Sequence, residues 1–109
     1  MNTFYQAHSI ADVLTFIKEN ELAFVFISRE DCGVCHAIQP QVQEILKYLP
    51  RIHSVQVDAG KVPEVAGQFQ VLTVPALLLF ADGKEVMREA RFVQMSELEK
   101  KFTQIAENY

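Results

Sequence analysis

The continuous apolar run from Leu22 to Ile27 is the feature that most constrains the fold of this chain. A strand with one face in water alternates apolar and polar residues. A continuous run rich in Phe, Val and Ile is instead typical of a strand covered on both faces. A second run of this kind extends from Ala76 to Phe80. Two such strands predict the centre of a sheet that lies between two layers of helices.

Helical periodicity around these runs indicates an α/β arrangement. A first helix is predicted to open with a capping pattern at Ser9 and Asp12 and to end near Asn20. Four apolar residues share its inner face: Ile10, Val13, Leu14 and Ile17. A longer helix is predicted to start near Cys32 and to end before Pro50. Proline has no backbone donor and crowds the preceding turn, so Pro40 should kink this helix.

The remaining segments complete a predicted order of β-α-β-α-β-α-β-β-α. They are a short strand at 3–6, a strand at 54–58, a short helix at 63–69, an Asp82-Gly83 hairpin turn, a strand at 84–92 and a last helix capped by Ser96 and Glu99. We therefore expect one domain over residues 1–109, an α/β fold whose mixed sheet has helices on both faces. Expected core residues are Phe4, Phe16, Phe69, Phe92 and Phe102, with Leu98, Ile105 and Tyr109 on the last helix.

Charge and hydropathy disfavour two classes of partner. The net charge of −4 argues against nucleic acid and anionic membrane surfaces, which both reward basic patches. No apolar run approaches the roughly 20 residues needed to cross a bilayer. The first six residues lack the basic and apolar regions of a signal peptide. We expect a cytoplasmic protein with neither a nucleic-acid nor a membrane partner.

Two cysteines lie three residues apart at the predicted start of the long helix, in Cys32-Gly33-Val34-Cys35. Free N–H groups and the helix dipole favour an anion there, which lowers the pKa of a thiol and raises its reactivity. Cys35 lies on the same helical face, close enough to form a disulfide after a small adjustment. We expect Cys32 to attack a substrate disulfide and the less exposed Cys35 to resolve the mixed disulfide. Gly33 would let a substrate backbone come close.

These residues and others make the sequence resemble the thioredoxin family over nearly its whole length. The shared features are Phe24-Val25-Phe26-Ile27, the cysteine motif, Pro40, Val57-Asp58, Thr73-Val74-Pro75, Leu77–Phe80 and Asp82-Gly83. The resemblance implies the thioredoxin fold and a cis peptide between Val74 and Pro75. It also implies that the Val74 backbone binds an extended substrate segment, on a surface completed by Gly33, Val34 and Pro75.

The activity implied by the resemblance is that of a monomeric protein disulfide oxidoreductase that needs no cofactor. Its substrates would be disulfide-containing proteins. Its electrons would come from a thioredoxin reductase or a low-molecular-weight thiol. Reduction is the expected direction in a cytosolic setting.

Three positions depart from the family pattern. Thioredoxins usually carry Trp before the first cysteine and Pro before the second, where this chain has Asp31 and Val34. The buried Asp that serves as proton acceptor for the resolving cysteine is matched by Phe26, so water or another carboxylate must replace it. A negative charge at Asp31 should raise the pKa of the Cys32 thiol, and a value below about 6 would contradict this. Asp31 is equally well explained as a helix cap.

His36 has two interpretations. When charged, it would stabilise the Cys32 thiolate and partly offset Asp31. Alternatively, it is a helix residue that faces solvent and has no role in tuning.

Three alternative functions fit part of the sequence. Cys32 to His36 matches the C-x-x-C-H pattern of c-type haem attachment, but that site requires export and a largely helical wrap. Cys32, Cys35 and His36 could contribute to a zinc site, which would still lack the fourth ligand of a structural site; we expect no metal. A thioredoxin-fold adaptor with weak redox activity, binding partners beside Val74 and Pro75, is the third.

Overall fold

The computed structural model describes residues 4–109, which form five strands and four helices in the predicted order. The strands are β1 (Tyr5–Ala7), β2 (Leu22–Ser28), β3 (Ile52–Asp58), β4 (Ala76–Ala81) and β5 (Lys84–Ala90). The helices are α1 (Ile10–Glu19), α2 (Gly33–Leu46), α3 (Glu64–Phe69) and α4 (Met95–Asn108). Of the predicted first strand, Thr3 lies outside the described residues.

The five strands form one mixed sheet in the order β1-β3-β2-β4-β5. β3 pairs in parallel with both β1 and β2, as predicted for the strand–helix–strand unit, whereas β4 and β5 are antiparallel. Every residue of β2 and β4 is buried. The two apolar runs therefore form central strands, which confirms the α/β class.

Alternating side chains of these strands build two cores, one on each face of the sheet. Phe24, Phe26 and Leu79 face α2 and α4 and pack with residues of both helices. Val25 and Leu78 face the opposite side, where they pack with residues of α1 and α3. Helices consequently cover both faces, as the continuous apolar runs require.

The first helix is capped almost as predicted. The Ser9 hydroxyl accepts a hydrogen bond of 3.1 Å from the Asp12 N–H, which satisfies one of the unpaired donors of α1. The Asp12 carboxylate accepts from the His8 N–H at 2.9 Å, one residue before the usual capping-box partner. Leu14 was expected to face inward, but it is 39% exposed while Val13 and Ile17 are buried.

The end of α3 is tied to β5 by one arginine. The Arg88 guanidinium donates to the carbonyls of Phe69 at 2.6 Å and Gln70 at 3.2 Å, and so satisfies groups that a helix C-terminus leaves unpaired. The same guanidinium bonds the Glu85 carboxylate at 2.8 Å. This hydrogen bond and the charge of Arg88 lower the pKa of Glu85. The ion pair therefore stabilises the fold at neutral pH and is lost as the pH falls.

The segment after β5 contradicts two predictions. β5 ends at Ala90, because Arg91 adopts a left-handed backbone with φ 61° and turns the chain out of the sheet. Phe92 consequently is 83% exposed and is not a core residue.

The predicted capping box of the last helix is also wrong. α4 begins at Met95, its N-cap is Gln94, and no side chain bonds the free donors. Met95 packs against the core on the α2 and α4 face. The helix therefore begins one residue before Ser96, where the Ser96–Glu99 pattern predicts the cap. Leu98 and Phe102 are buried as expected, but Tyr109 is 49% exposed.

The predicted start of β3 needs a smaller correction. The strand begins at Ile52, two residues before the predicted Ser54. Ile52 and Ser54 are both buried while His53 between them is exposed. The alternation of buried and exposed residues therefore continues through His53 and Ser54, where the alternation of apolar and polar residue types is interrupted.

Replacement of Phe26 by Ala should lower the free energy of unfolding by about 3–5 kcal/mol, the usual effect of deleting a fully buried aromatic ring. Phe26 is 0% exposed, whereas Leu14 is 39% exposed, so Leu14→Ala is the control and should cost about 1 kcal/mol or less. Urea denaturation of the oxidised proteins, followed by circular dichroism, gives both values. Equal losses at the two positions would contradict the assigned core.

Candidate active site

Three loops meet at one end of the sheet because of the strand register. Ile27 near the end of β2 pairs with Ala76 at the start of β4, and Ala76 pairs with Ala90 at the end of β5. The segment before Cys32, the segment ending at Pro75 and the segment after Ala90 therefore lie side by side. The Arg91 N–H donates to the Pro75 carbonyl at 2.9 Å, which joins two of these loops directly.

Cys32 and Cys35 form a disulfide, with their Cα atoms 5.3 Å apart. Cys32 is the N-cap of α2, and its sulfur accepts a hydrogen bond of 3.1 Å from the Cys35 N–H. The sulfur thus occupies the position that a capping oxygen takes in other helices. Cys32 is partly exposed, whereas Cys35 is 2% exposed. Only one sulfur of the pair is therefore open to a partner.

The peptide bond between Val74 and Pro75 is cis, the geometry that the resemblance implies. Pro75 is buried, and the half-buried Val74 packs against both cores, as Cys32 does against the core on the α2 and α4 face. Gly33 and Val34 are exposed, and an added Cβ at Gly33 would meet no atom within 4 Å. The backbone at Gly33 is therefore open to close approach by another group.

Asp31 does not cap the helix, which corrects one of its two interpretations, because Cys32 itself is the N-cap. The Asp31 carboxylate lies 3.4 Å from the Arg29 Nε, and its side chain is 81% exposed. The carbonyl of Arg29 accepts from the Cys32 N–H at 3.2 Å. A charge so exposed and already paired acts weakly on its neighbours, because water and salt screen it.

His36 is exposed, but its ring is not free. Nε2 lies 2.7 Å from the Glu30 carbonyl oxygen, and a carbonyl only accepts, so this nitrogen carries a proton. The bond ties the loop before Cys32 to the first turn of α2. Glu30 also accepts from Lys61 at 2.7 Å, and this hydrogen bond with its charge raises the pKa of Lys61. The sequence pattern indicated neither contact, since both depend on how loops pack.

Phe26 lies in the same buried cluster as Cys35. Among residues 4–109, the buried polar side chains are Ser28 and Ser54, so no buried carboxylate replaces the missing proton acceptor there. Ser28 accepts from Gln56 Nε2 at 3.1 Å, and Gln56 accepts from Gln39 Nε2 at 2.9 Å. Sequence reasoning missed this neutral network, which follows from Gln56 lying opposite Phe26 in the sheet.

The described part of the chain holds neither a cluster of metal-ligating side chains nor a membrane-spanning helix. Within residues 4–109, no three His, Cys, Asp or Glu side chains are grouped so that they could hold a metal ion. Over the same residues, no helix has the length and apolar character needed to span a membrane.

Known proteins resemble this chain in sequence and in fold. The family profile described as Thioredoxin matches residues 9–104. The thioredoxin-like protein YdfQ of Bacillus subtilis strain 168 is 46% identical over 102 residues, which cover 94% of this chain and 91% of that protein. Thioredoxin from Plasmodium falciparum superposes with a TM-score of 0.81 at 27% identity, covering 96% of this chain and 98% of that one. Thioredoxin from Trypanosoma brucei brucei, at 20% identity, gives a TM-score of 0.88 over 97% and 93% of the two chains and supports the fold alone.

The pairing of Arg29 with Asp31 predicts opposite effects of their removal on the Cys32 thiol. Asp31→Asn should lower the pKa of Cys32 and Arg29→Gln should raise it, each by no more than about half a unit, because exposed charges interact weakly. Both are measured in a Cys35→Ser background by following thiolate absorbance against pH. Lys84→Gln, on the far turn of the sheet, is the control for net charge. Shifts of the same sign, or a shift well above half a unit, would contradict the weak action of this exposed pair.

Proposed function

Because this chain belongs to the thioredoxin family, a family of thiol-disulfide oxidoreductases, we propose that it reduces disulfides of cytoplasmic proteins through Cys32 and Cys35. The observation that carries the proposal is the difference between the two sulfurs. Cys32 is partly exposed and accepts a backbone hydrogen bond, whereas Cys35 is 2% exposed and lies within disulfide reach.

The reaction is a pair of thiol-disulfide exchanges. The Cys32 thiolate attacks one sulfur of the substrate disulfide; a mixed disulfide forms and the second substrate sulfur leaves as a thiolate. Cys35 then loses its proton and attacks the Cys32 sulfur. The Cys32–Cys35 disulfide forms as the first substrate sulfur leaves. Two electrons pass from the cysteine pair to the substrate, and the released thiolates take up the protons that the cysteines lost.

The start of α2 favours Cys32 as the attacking group. In the disulfide, the Cys35 N–H already donates to the Cys32 sulfur at 3.1 Å. In the dithiol, the same donor and the helix dipole would stabilise a thiolate at this position. Cys35 is enclosed by apolar side chains of the core, which keep it from substrates and leave it facing the bound Cys32 sulfur. Attack from within the same helix turn is intramolecular, which favours it over attack by a thiol from solution.

A substrate segment would lie in extended form along Val74. In thioredoxins, the residue at this position offers its backbone to an extended substrate segment as an added strand. Gly33 and Val34 border the same opening, and both are exposed. These three residues, with Pro75, would hold the substrate cysteine in front of Cys32.

The direction and the donor follow from the compartment that we propose. A cytosol kept reducing favours the dithiol form, so the chain would pass electrons to substrates rather than introduce disulfides. A thioredoxin reductase or a low-molecular-weight thiol would return the electrons. The protein would act as a monomer and would need no cofactor of its own.

Titration of the cysteine pair against dithiothreitol redox buffers tests the proposal. Free thiols are alkylated and the protein mass is read at each potential. We expect one two-electron transition between about −200 and −270 mV, the span of known cytosolic dithiol carriers. A pair that forms no disulfide, or forms one only under strong oxidant, would refute reduction and favour an adaptor role.

Trapping separates the roles of the two cysteines. Cys35→Ser should accumulate a mixed disulfide with an oxidised protein substrate such as insulin, because the resolving thiol is gone. Cys32→Ser is the matched control and should accumulate little, since Cys35 is buried. Equal trapping by both variants would show that burial does not set the order of attack.

A further inference from the structure

A groove of about 480 Å³ opens at the end of the sheet where β2 ends and β4 begins, and Arg29 and Val74 are among the residues that line it. Its walls are mostly apolar and come from the loop before Pro75, from α3 and from the segment that precedes it. Two arginines also line it, Arg29 and Arg91, and among the described residues no carboxylate does. The groove begins at Val74, where we propose that substrate backbone binds, so its chemistry bears on which substrates fit.

The two arginines differ in the charge that they leave available. Arg29 pairs with Asp31 at 3.4 Å. Arg91 has no carboxylate partner within residues 4–109; its guanidinium lies 5.3 Å from the centre of the Phe92 ring. An arginine over an aromatic ring keeps its charge for a further partner. The chain as a whole has a net charge of −4, so Arg91 supplies a local positive charge on a protein that is negative overall.

The backbone fixes where Arg91 and Phe92 lie. Arg91 adopts φ 61°, a region that non-glycine residues seldom occupy and that is concentrated at functional sites. Its N–H bonds the Pro75 carbonyl at 2.9 Å. The turn holds the Phe92 ring in solvent, 83% exposed, at the same end of the sheet as Leu72, which is 98% exposed.

We propose that this groove selects protein disulfides whose reactive cysteine is flanked by acidic and apolar residues. Arg91 would pair with the substrate carboxylate, while Leu72 and Phe92 would contact the apolar side chain beside it. The inference rests on the proposed function and adds a substrate class to it. Arg91 is exposed, so exchanging an attractive for a repulsive charge opposite it should change specificity by about three- to tenfold, and the effect should weaken as salt is added.

Peptides that differ in one charge test this specificity. Three peptides carry the same intramolecular disulfide and an adjacent Leu, with Glu, Gln or Lys on either side of the reactive cysteine. For the unmodified protein at low salt, kcat/KM should be about three- to tenfold higher for the Glu peptide than for the Lys peptide. Arg91→Glu should reverse this order, because the cation becomes an anion.

Two further variants separate the charge of Arg91 from the shape of its turn and from the net charge of the protein. Arg91→Gly accepts the left-handed backbone, so it keeps the turn and should abolish the preference without a folding defect. Lys84→Glu changes the net charge as Arg91→Glu does, but Lys84 starts β5 at the opposite end of the strand, so the preference should remain.

The outcomes separate the inference from the proposed function. Turnover of all three peptides at equal rates, or the same loss of preference in Lys84→Glu, would overturn the inference and leave disulfide reduction standing. Glutathione disulfide is measured as a fourth substrate. If it is reduced efficiently while the three peptides show no charge preference, the inference is also overturned, since the site would then serve a small anionic disulfide. Failure to reduce any peptide would refute the proposed function and the inference together.

Discussion

The burial of β2 on both faces is the constraint on which the rest of this structure depends. All seven residues of the strand are buried, and each large apolar side chain removed from water contributes about 1.5–3 kcal/mol. This burial fixes the register of β2 against β3 and β4. A shift by one residue would exchange the two faces and place every side chain in the wrong core. The end of β2, and with it the start of α2, therefore has one position relative to Pro75.

The start of α2 then serves packing and chemistry together. A helix begins with donors that have no partner within it, and here the Cys32 sulfur accepts one of them at 3.1 Å. Cys35, one turn further, lies in the core with Phe26 and Ile38. The same helix face that anchors α2 to the sheet thus hides one sulfur, while the cap position leaves the other partly open. The asymmetry that the proposed exchange reaction needs follows from ordinary helix packing.

The sequence predicted the parts of the fold that short patterns determine. The continuous runs around Phe24 and Leu78 identified the central strands, and the spacing of the two cysteines identified the reactive pair. The contacts that escaped prediction join distant segments: the bond from Arg91 to Pro75, and the Gln56 bonds to Ser28 and Gln39. Local patterns also gave a wrong helix start where tertiary packing decided it: α4 begins at Met95, which packs against the core, and not at the predicted Ser96 cap. No periodicity in the sequence indicates that Arg91 adopts a left-handed backbone conformation and that Phe92 is consequently exposed to solvent.

Charge around this site lies outside the core. Within the described residues, the interior beside Cys35 holds neutral groups, with Phe26 facing the cysteine's cluster and Ser28 bonded to an amide. Two of the charged groups just before the motif, Asp31 and Arg29, are exposed and form an ion pair with each other. A buried charge would act strongly on a thiol, whereas exposed pairs act weakly and are screened by salt. The surface charges should therefore influence which substrates approach more than how readily Cys32 and Cys35 ionise.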